Sequence, residues 1–192
     1  YPFTGRYLHL PGGQLHYIDE GSGPVIVMVH GNPTWSYYFR HLITQLQQNH
    51  RVIALDHIGC GLSDKPTDYP YCLEQHIENL GLLLKELGIQ RFSLIVHDWG
   101  GAIGFGYAGQ HIDCIEKIVI MNTAAFRSTR LPWRIGLCRL PFIGEVIVRL
   151  FNGFAGPACF MAVTKKLATD VKKSYLAPYD NWHNRVAIAR FV

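Results

Sequence analysis

The sequence predicts an α/β protein in which a mostly parallel sheet follows an N-terminal antiparallel hairpin and precedes a helical segment. Two observations support this prediction. Apolar runs typical of buried strands alternate with helical patterns up to about residue 123, and the alternation stops beyond that point. A composition of 48% hydrophobic and 17% charged residues over 192 residues is that of a globular chain with a sizeable core.

The first elements are two short alternating segments joined by Pro11-Gly12-Gly13, which predict a β-hairpin over residues 6–10 and 14–19. Continuous apolar runs then predict buried parallel strands, and apolar residues at helical spacing predict the helices between them. The predicted strands are Val25–Val29, Val52–Leu55, Phe92–Val96 and Lys117–Met121, and the predicted helices are Trp35–Gln47, Leu73–Leu87 and Ala102–Gln110.

Beyond Thr123 the sequence predicts a cap of short helices over the carboxyl ends of the strands, where ligands bind in sheets of this class. Prolines and glycines interrupt residues 131–192 at intervals typical of short helices. Trp133, Leu137 and Leu140 recur at helical spacing, so we expect that face to be covered. The predicted domains are therefore residues 1–123 for the core and 124–192 for an incomplete cap.

The charge distribution also changes near Thr123. Residues 1–123 hold 7 Lys and Arg against 11 Asp and Glu, a net charge of −4, whereas residues 124–192 hold 11 against 3, a net charge of +8. A solvated helix face explains the basic part more simply than an acidic substrate or an anionic membrane does. No basic motif with interleaved aromatic residues is present, so nucleic-acid binding is not expected.

The sequence predicts neither a membrane span nor a secretory signal. No uncharged apolar run approaches the roughly 20 residues that cross a bilayer, and no basic segment followed by an apolar one begins the chain. The five cysteines are odd in number and form no C-x-x-C pair, which predicts buried thiols in a reduced, cytoplasmic protein.

The stretch Val96 to Gly101 predicts a sharp strand-to-helix turn that presents Asp98. A glycine pair follows Trp99, and small residues are needed there because bulkier ones would clash. A carboxylate at the nucleophile position of such a turn can displace a leaving group from carbon and form an alkyl ester that water then cleaves. The alternative is a helix N-cap, in which the Asp98 side chain accepts a backbone hydrogen bond.

Two further loops complete a pattern that resembles the α/β-hydrolase superfamily and, within it, the haloalkane dehalogenase group. Their sequences are His30-Gly31-Asn32-Pro33-Thr34-Trp35 and Asp56-His57-Ile58-Gly59-Cys60-Gly61-Leu62-Ser63-Asp64-Lys65-Pro66, and the aspartate turn follows them in order. The resemblance implies an α/β-hydrolase fold with a helical cap. It also implies chemistry that needs no cofactor and no metal.

The resemblance assigns a role to each residue of the expected site. Asp98 is the nucleophile, while the Asn32 amide and the Trp99 indole N–H hold the departing anion. The backbone N–H groups of Asn32 and Trp99 form the oxyanion hole. Taken singly, Asn32 is also explained as a turn residue before Pro33, and Trp99 as a packed aromatic.

The resemblance also requires a histidine base on a late loop and a carboxylate that polarises it, and neither is expected in this chain. His30 and His97 end buried strands and are better explained as hydrogen-bonded structure, and His183 lies in the helical pattern. Asn122 stands where one dehalogenase branch has a glutamate. We therefore expect a fragment without the C-terminal strands, able to form the ester but not to turn over.

The cap sequence resembles the third dehalogenase branch, which includes the β-lactone decarboxylases of long-chain olefin biosynthesis. The matching segments are 127–134, 152–155 and 184–187. Hydrolysis of a carbon–halogen bond is the first expectation, and decarboxylation of a β-lactone to a cis-alkene is the second. Epoxide hydrolysis, with Tyr175 and Tyr179 as acids, and a non-catalytic truncated binding module remain open. We expect a small apolar substrate, and the basic face suits an olefin-pathway enzyme partner.

Overall fold

The computed structural model describes residues 1–124, 126 and 132–192. A six-stranded sheet forms the centre of the molecule. Its strands are β1 (Gly5–Leu10), β2 (Gly13–Glu20), β3 (Val25–Val29), β4 (Arg51–Leu55), β5 (Phe92–His97) and β6 (Ile115–Met121), arranged in the order β1-β2-β4-β3-β5-β6. β1 and β2 form the predicted hairpin, β2 pairs antiparallel with β4, and β4, β3, β5 and β6 run parallel. The predicted α/β fold is confirmed.

The central strands are apolar throughout because helices cover both faces of the sheet. Val27 and Val29 face one core, while Ile26 and Met28 face the other. The helices of this part are α1 (Arg40–Leu46), α2 (Leu73–Glu86) and α3 (Trp99–Gln110). Parallel order brings the carboxyl ends of β3, β4 and β5 to one edge, so the three loops identified in the sequence lie together.

Two of the helices begin at residues other than those predicted from the sequence. The helix expected from Trp35 starts as a 3-10 turn, Ser36–Phe39, because the Ser36 backbone N–H is held by the Asp56 carboxylate at 2.6 Å and the chain is extended at Trp35. Helix α3 begins at Trp99 rather than at Ala102, since the unusual backbone of Asp98 ends the strand and starts the helix within one residue.

The cap is made of short helices that pack around a small apolar cluster. Val148, Ala155, Tyr179 and Ile188 form this cluster. The helices are α4 (Trp133–Cys138), α5 (Ile143–Glu145), α6 (Ala155–Met161), α7 (Thr169–Leu176) and α8 (Val186–Phe191), with a π-helical turn at Val146–Leu150 and 3-10 turns at Ile112–Cys114, Ala177–Tyr179 and His183–Arg185. The domain boundary near Thr123 stays a prediction.

One expectation for the cap is wrong. The face of α4 that carries Trp133 and Leu137, continued by Leu140, remains exposed, with Trp133 at 69% of its full accessibility. The helix is only 6 residues long and packs instead through Cys138, which contacts the apolar cluster of the cap. The part of the cap motif at residues 127–131 lies outside the described residues.

Strand β6 lies at the edge of the sheet, where Val119 and Ile120 are half exposed. All five cysteines are free thiols. None of the helices in the described ranges combines the length and the apolar character needed to cross a membrane.

Candidate active site

The turn between β5 and α3 presents Asp98 in a conformation that few L-residues adopt, with φ +51° and ψ −127°. A Cβ atom at Gly100 would overlap the Val29 carbonyl, and one at Gly101 would overlap the Thr123 side chain. The glycine pair is therefore required by close packing at this corner. The strand, the strained residue and the helix together give the geometry of a nucleophile elbow.

The Asp98 side chain does not cap the helix that follows it within the described part of the chain. Its Oδ1 atom instead accepts a hydrogen bond of 2.8 Å from the Asn32 backbone N–H, which comes from the loop after β3. A Cβ at Gly31 would overlap the same carboxylate. The loop after β3 and the turn after β5 are therefore in close contact at Asp98. Because the Asp98 side chain bonds to Asn32 and not to its own helix, the N-cap interpretation of this residue is wrong.

Asn32 is 8% exposed and lies at the rim of the site. Its Nδ2 donates a 3.2 Å hydrogen bond to the Ile188 carbonyl of α8, while its Oδ1 has no partner among the described residues. An amide nitrogen carries two N–H groups, so one donor of Asn32 is not used by this contact. The loop after β3 therefore contacts both Asp98 and the cap.

Trp99 is the first residue of α3 and directly follows Asp98. It is 36% exposed and packs edge-to-face against Phe191, with ring centroids 5.5 Å apart. With Asp98 it borders an open groove along α3 that continues to Phe105 and Phe126. The structure thus brings Asp98 and Asn32 into one cavity and places the Trp99 ring outside the residues that line it.

A cavity of about 340 Å³ separates Asp98 from the cap. The apolar lining comes from α6 and α7 and the segment between them, and includes Ala155, Ala158, Ala162, Val163, Leu167 and Leu176. The polar lining includes Asn32, Tyr38, His97, Asp98, Asn122 and Tyr175. A carboxylate with a few polar groups at one end of an apolar cavity is typical of a small-molecule site.

The two cap tyrosines considered for epoxide opening occupy different environments. Tyr175 lines the cavity, and its hydroxyl accepts a 3.4 Å hydrogen bond from Arg40. Burial raises the pKa of Tyr175, and the Arg40 cation opposes this rise. Tyr179 is fully buried, donates to the Thr34 carbonyl at 3.4 Å and accepts from the Gly61 N–H at 3.3 Å. Tyr179 thus joins the cap to the core through these two hydrogen bonds.

The histidines buried beneath the site have pKa values below their usual range. His30 Nδ1 lies 2.8 Å from the Gly31 carbonyl, and its Nε2 accepts from the His57 N–H at 3.0 Å. Burial lowers the pKa of His30, and burial with the charges of His30 and His76 lowers that of His57 further. Burial lowers the pKa of His76 to about 4. His30 is therefore hydrogen-bonded structure, as expected.

His97 is half-buried and stacks on Tyr38, with ring centroids 4.1 Å apart. Its Nδ1 has no hydrogen-bond partner in the described ranges, contrary to the expectation for a purely structural histidine. Burial lowers the pKa of His97, and the neighbouring Asp98 opposes this change.

Asp56 organises the loops, a role that the sequence did not reveal. It is fully buried, and its carboxylate accepts from the backbone N–H of Ser36 and of Leu62 and contacts His16 Nδ1 at 2.8 Å. Burial alone would raise the pKa of Asp56, but the hydrogen bond and charge of His16 and the charge of His30 lower it. The contact of the Thr123 hydroxyl with the Asp98 carbonyl was also missed, because the sequence position of Thr123 marks only the domain boundary. No cluster of metal-binding side chains occurs in the described residues.

Fold and site together define the class of this protein. The model of the family described as "alpha/beta hydrolase fold" matches residues 24–155, so the chain belongs to the α/β-hydrolase fold family. Crystal structures of haloalkane dehalogenases share its fold. DatA from Agrobacterium tumefaciens C58 superposes with a TM-score of 0.89 at 29% identity, covering 97% of this chain and 66% of DatA. DbeA from Bradyrhizobium elkani USDA94 has a TM-score of 0.90 at 25% identity, covering 98% of this chain and 68% of DbeA.

Two relatives match along the whole chain, each with 44% identity. They are the cis-3-alkyl-4-alkyloxetan-2-one decarboxylases of Shewanella oneidensis and Xanthomonas campestris pv. campestris, of which the chain spans 62% and 69%. Haloalkane dehalogenase 2 of Mycobacterium tuberculosis is 38% identical over 64% of this chain and 43% of that protein. The expected resemblance is confirmed, and these relatives are enzymes.

Proposed function

We propose that this chain carries the nucleophile of an enzyme that decarboxylates cis-3,4-dialkyl oxetan-2-ones. The observation that carries the proposal is the Asp98 carboxylate, held at a strained turn and facing an apolar cavity. The match of the oxetan-2-one decarboxylases along the whole chain, cap included, supports this substrate over a haloalkane. The dehalogenase relative matches only 64% of the chain.

The first step is attack on a ring carbon. The Asn32 N–H holds Asp98 Oδ1, so we assign Oδ2 as the attacking oxygen. A bond forms between Oδ2 and C4 of the ring, the C4–O bond breaks, and the ring oxygen leaves with the electron pair as a carboxylate on C3. Hydrogen-bond donors stabilise this developing anion, and Asn32 Nδ2, which belongs to the cavity lining, is our first candidate. The Trp99 indole N–H is our second candidate, and it can act only if the ring turns toward the cavity from its position outside the lining.

The second step releases carbon dioxide and restores the enzyme. The bond between C3 and the carboxylate breaks, its electron pair forms the C3=C4 double bond, and the bond from C4 to Asp98 breaks. Attack inverts the configuration at C4. Elimination with the C3 carboxylate and the Asp98 ester oxygen antiperiplanar then gives a cis-alkene from a cis-substituted ring. The step consumes neither water nor a proton, so it regenerates the Asp98 carboxylate without a hydrolytic base.

Hydrolysis of a haloalkane is the second candidate, because the same carboxylate and donors serve displacement of a halide. Its ester must be cleaved by water at the Asp98 carbonyl, which requires a base and an oxyanion hole. The Asn32 N–H at 2.8 Å from Oδ1 occupies the position of an oxyanion donor. The two reactions therefore differ in whether solvent oxygen enters Asp98.

An isotope experiment separates the two reactions. The full product of the gene that contains this chain is incubated in H₂¹⁸O with a cis-3,4-dialkyl oxetan-2-one or with a 1-haloalkane. After many turnovers the mass of the peptide that contains Asp98 is measured by mass spectrometry. Our proposal predicts alkene and carbon dioxide from the lactone with no ¹⁸O in Asp98. Labelled Asp98 with alcohol or halide release, and no alkene from the lactone, would establish the dehalogenase instead.

Asp98→Asn tests the nucleophile, with Asp113→Asn on an exposed turn as the matched control. The amide cannot attack carbon effectively, so we expect loss of both activities in Asp98→Asn and unchanged rates in Asp113→Asn. Turnover by Asp98→Asn would remove the assignment. A protein that binds the lactone without converting it, with or without Asp98, would indicate the non-catalytic binding module.

The cellular setting is part of the same proposal. A cytoplasmic enzyme with a long-chain apolar substrate would receive that substrate from the enzyme that forms the lactone ring. The basic residues of the cap offer a surface for such an olefin-pathway partner. Copurification of a ring-forming enzyme that is lost at high salt would support this assignment, since contacts between exposed charges are screened by salt.

A further inference from the structure

The side chain of Thr123 links the end of β6 to the nucleophile turn. Its hydroxyl donates a hydrogen bond of 2.5 Å to the backbone carbonyl of Asp98, a residue 25 positions earlier in the chain. Thr123 is half-buried and lies two residues after the last residue of β6. The contact joins two neighbouring parallel strands just beyond their carboxyl ends.

This hydrogen bond acts on the peptide unit that follows the nucleophile. A peptide unit is planar, with its C=O and N–H pointing in opposite directions, so a donor that holds the Asp98 carbonyl also sets the direction of the Trp99 N–H. The Asp98 carbonyl accepts a second bond of 2.9 Å from the Gly101 N–H. Two donors therefore fix one carbonyl at the most strained residue of the turn.

Close packing keeps the Thr123 side chain in this position. A Cβ atom at Gly101 would overlap Thr123 Oγ1 and approach its Cγ2. The first turn of α3 thus lies directly against the threonine. A β-branched side chain has few rotamers, so this contact limits where the hydroxyl can go.

We propose that Thr123 is a positioning residue, which aims the Trp99 backbone N–H at the Asp98 carboxylate and holds the nucleophile turn in its attacking geometry. The inference rests on the proposed function of Asp98 for its effect on rate. Its structural part, the direction of the Trp99 amide, does not depend on any activity.

Three variants test the inference. Thr123→Val removes the hydroxyl with little change of shape, and Thr123→Ser restores it. Thr44→Val removes the same kind of bond, from a threonine hydroxyl to the Arg40 carbonyl at 2.9 Å, at an exposed site on α1. Each is measured for kcat and KM with the oxetan-2-one and for the shift and hydrogen exchange of the Trp99 amide by NMR.

We expect kcat of Thr123→Val to fall on the order of 10- to 100-fold with little change in KM, because a displaced Trp99 N–H no longer stabilises the negative charge that develops on the Asp98 carboxylate as its bond to C4 breaks. Thr123→Ser should recover most of the rate, and Thr44→Val should match the unaltered protein. The Trp99 amide should shift and exchange faster in Thr123→Val only.

Two results would overturn the inference: an unchanged kcat in Thr123→Val, or a Thr123→Ser rate as low as that of Thr123→Val, which would assign the effect to packing rather than to the hydroxyl. If the unaltered protein shows no Asp98-dependent activity, the proposed function fails. The NMR arm then decides, and a Trp99 amide that is the same in Thr123→Val and the unaltered protein contradicts the positioning role.

Discussion

Replacing His76 tests the electrostatics beneath the site. His76 is fully buried on α2, stacks on Phe191 with centroids 4.6 Å apart, and lies 5.3 Å from the His57 ring. Neither ring nitrogen has a hydrogen-bond partner in the described part of the chain. Since burial lowers its pKa to about 4, His76 is neutral in the folded protein at any pH well above that value.

The sign and size of the effect follow from the two protonation equilibria. In the unfolded chain His76 takes up a proton as the pH falls through about 6.5, whereas in the folded protein it does so only near pH 4. Stability contributed by the neutral form is therefore present above pH 6.5 and is lost as the pH falls toward 4. The free energy of unfolding should decrease by about 2 kcal/mol at pH 5 and by about 3 kcal/mol at pH 4 through this residue.

His76→Phe keeps the ring and its stacking but cannot be protonated. We expect it to be at least as stable as the unaltered protein at pH 7, because two unpaired buried nitrogens are removed. Between pH 7 and pH 5 its free energy of unfolding should fall by about 2 kcal/mol less than that of the unaltered protein. The pKa values of His30 and His57 are also lowered, so these residues reduce the free energy of unfolding at low pH in both His76→Phe and the unaltered protein.

Urea denaturation followed by tryptophan fluorescence at pH 7, 6 and 5 measures these differences. His41→Phe, which makes the same exchange at an exposed position on α1, is the control and should not change the pH dependence. Equal losses of stability in His76→Phe and the unaltered protein would refute the reasoning, since His76 would then be hydrated or paired when folded.

Three further changes have expected outcomes. Gly31→Ala places a methyl group against the Asp98 carboxylate, so it should lower Asp98-dependent activity and cost about 1–3 kcal/mol of stability in urea denaturation; full activity would contradict the close approach. Tyr179→Phe removes the donor to the Thr34 carbonyl and the acceptor of the Gly61 N–H, so the thermal midpoint should drop by an amount equivalent to about 1–2 kcal/mol, and an unchanged midpoint would be inconsistent with these bonds. Arg51→Lys replaces two 2.8 Å contacts to Asp19 by a single one and should lower the free energy of unfolding by about 0.5–1 kcal/mol in the same urea assay. The same substitution should have no effect in a protein that already carries Asp19→Asn.

The strands and the family were predictable because their signals are local. A continuous apolar run such as Val25–Val29 requires two covered faces, and the motif at residues 30–35 and the turn at residues 96–101 carry their meaning in consecutive residues. The location of the site followed from parallel order alone, since the loops after β3, β4 and β5 must share one edge.

The remaining features depend on contacts between distant residues. The hydroxyl of Thr123 reaches Asp98 only because β5 and β6 are neighbours in register, and the partner of Asn32 Nδ2 lies 156 positions away in α8. The start of α1 changes because the Asp56 carboxylate holds Ser36. The exposed face of α4 shows that helical spacing identifies an apolar face without specifying what covers it.

The most direct test of the central claim is the mass of the Asp98 peptide from the full gene product, quenched with acid during the first turnover of a 1-bromoalkane, before water cleaves the ester. This probe reports the nucleophilic step common to both proposed reactions. We predict one alkyl group attached to Asp98, released by hydroxylamine as expected for an ester, and no such group at residue 98 in Asp98→Asn. An Asp98 that is unmodified at every quench time, whether or not halide is released, would contradict this prediction.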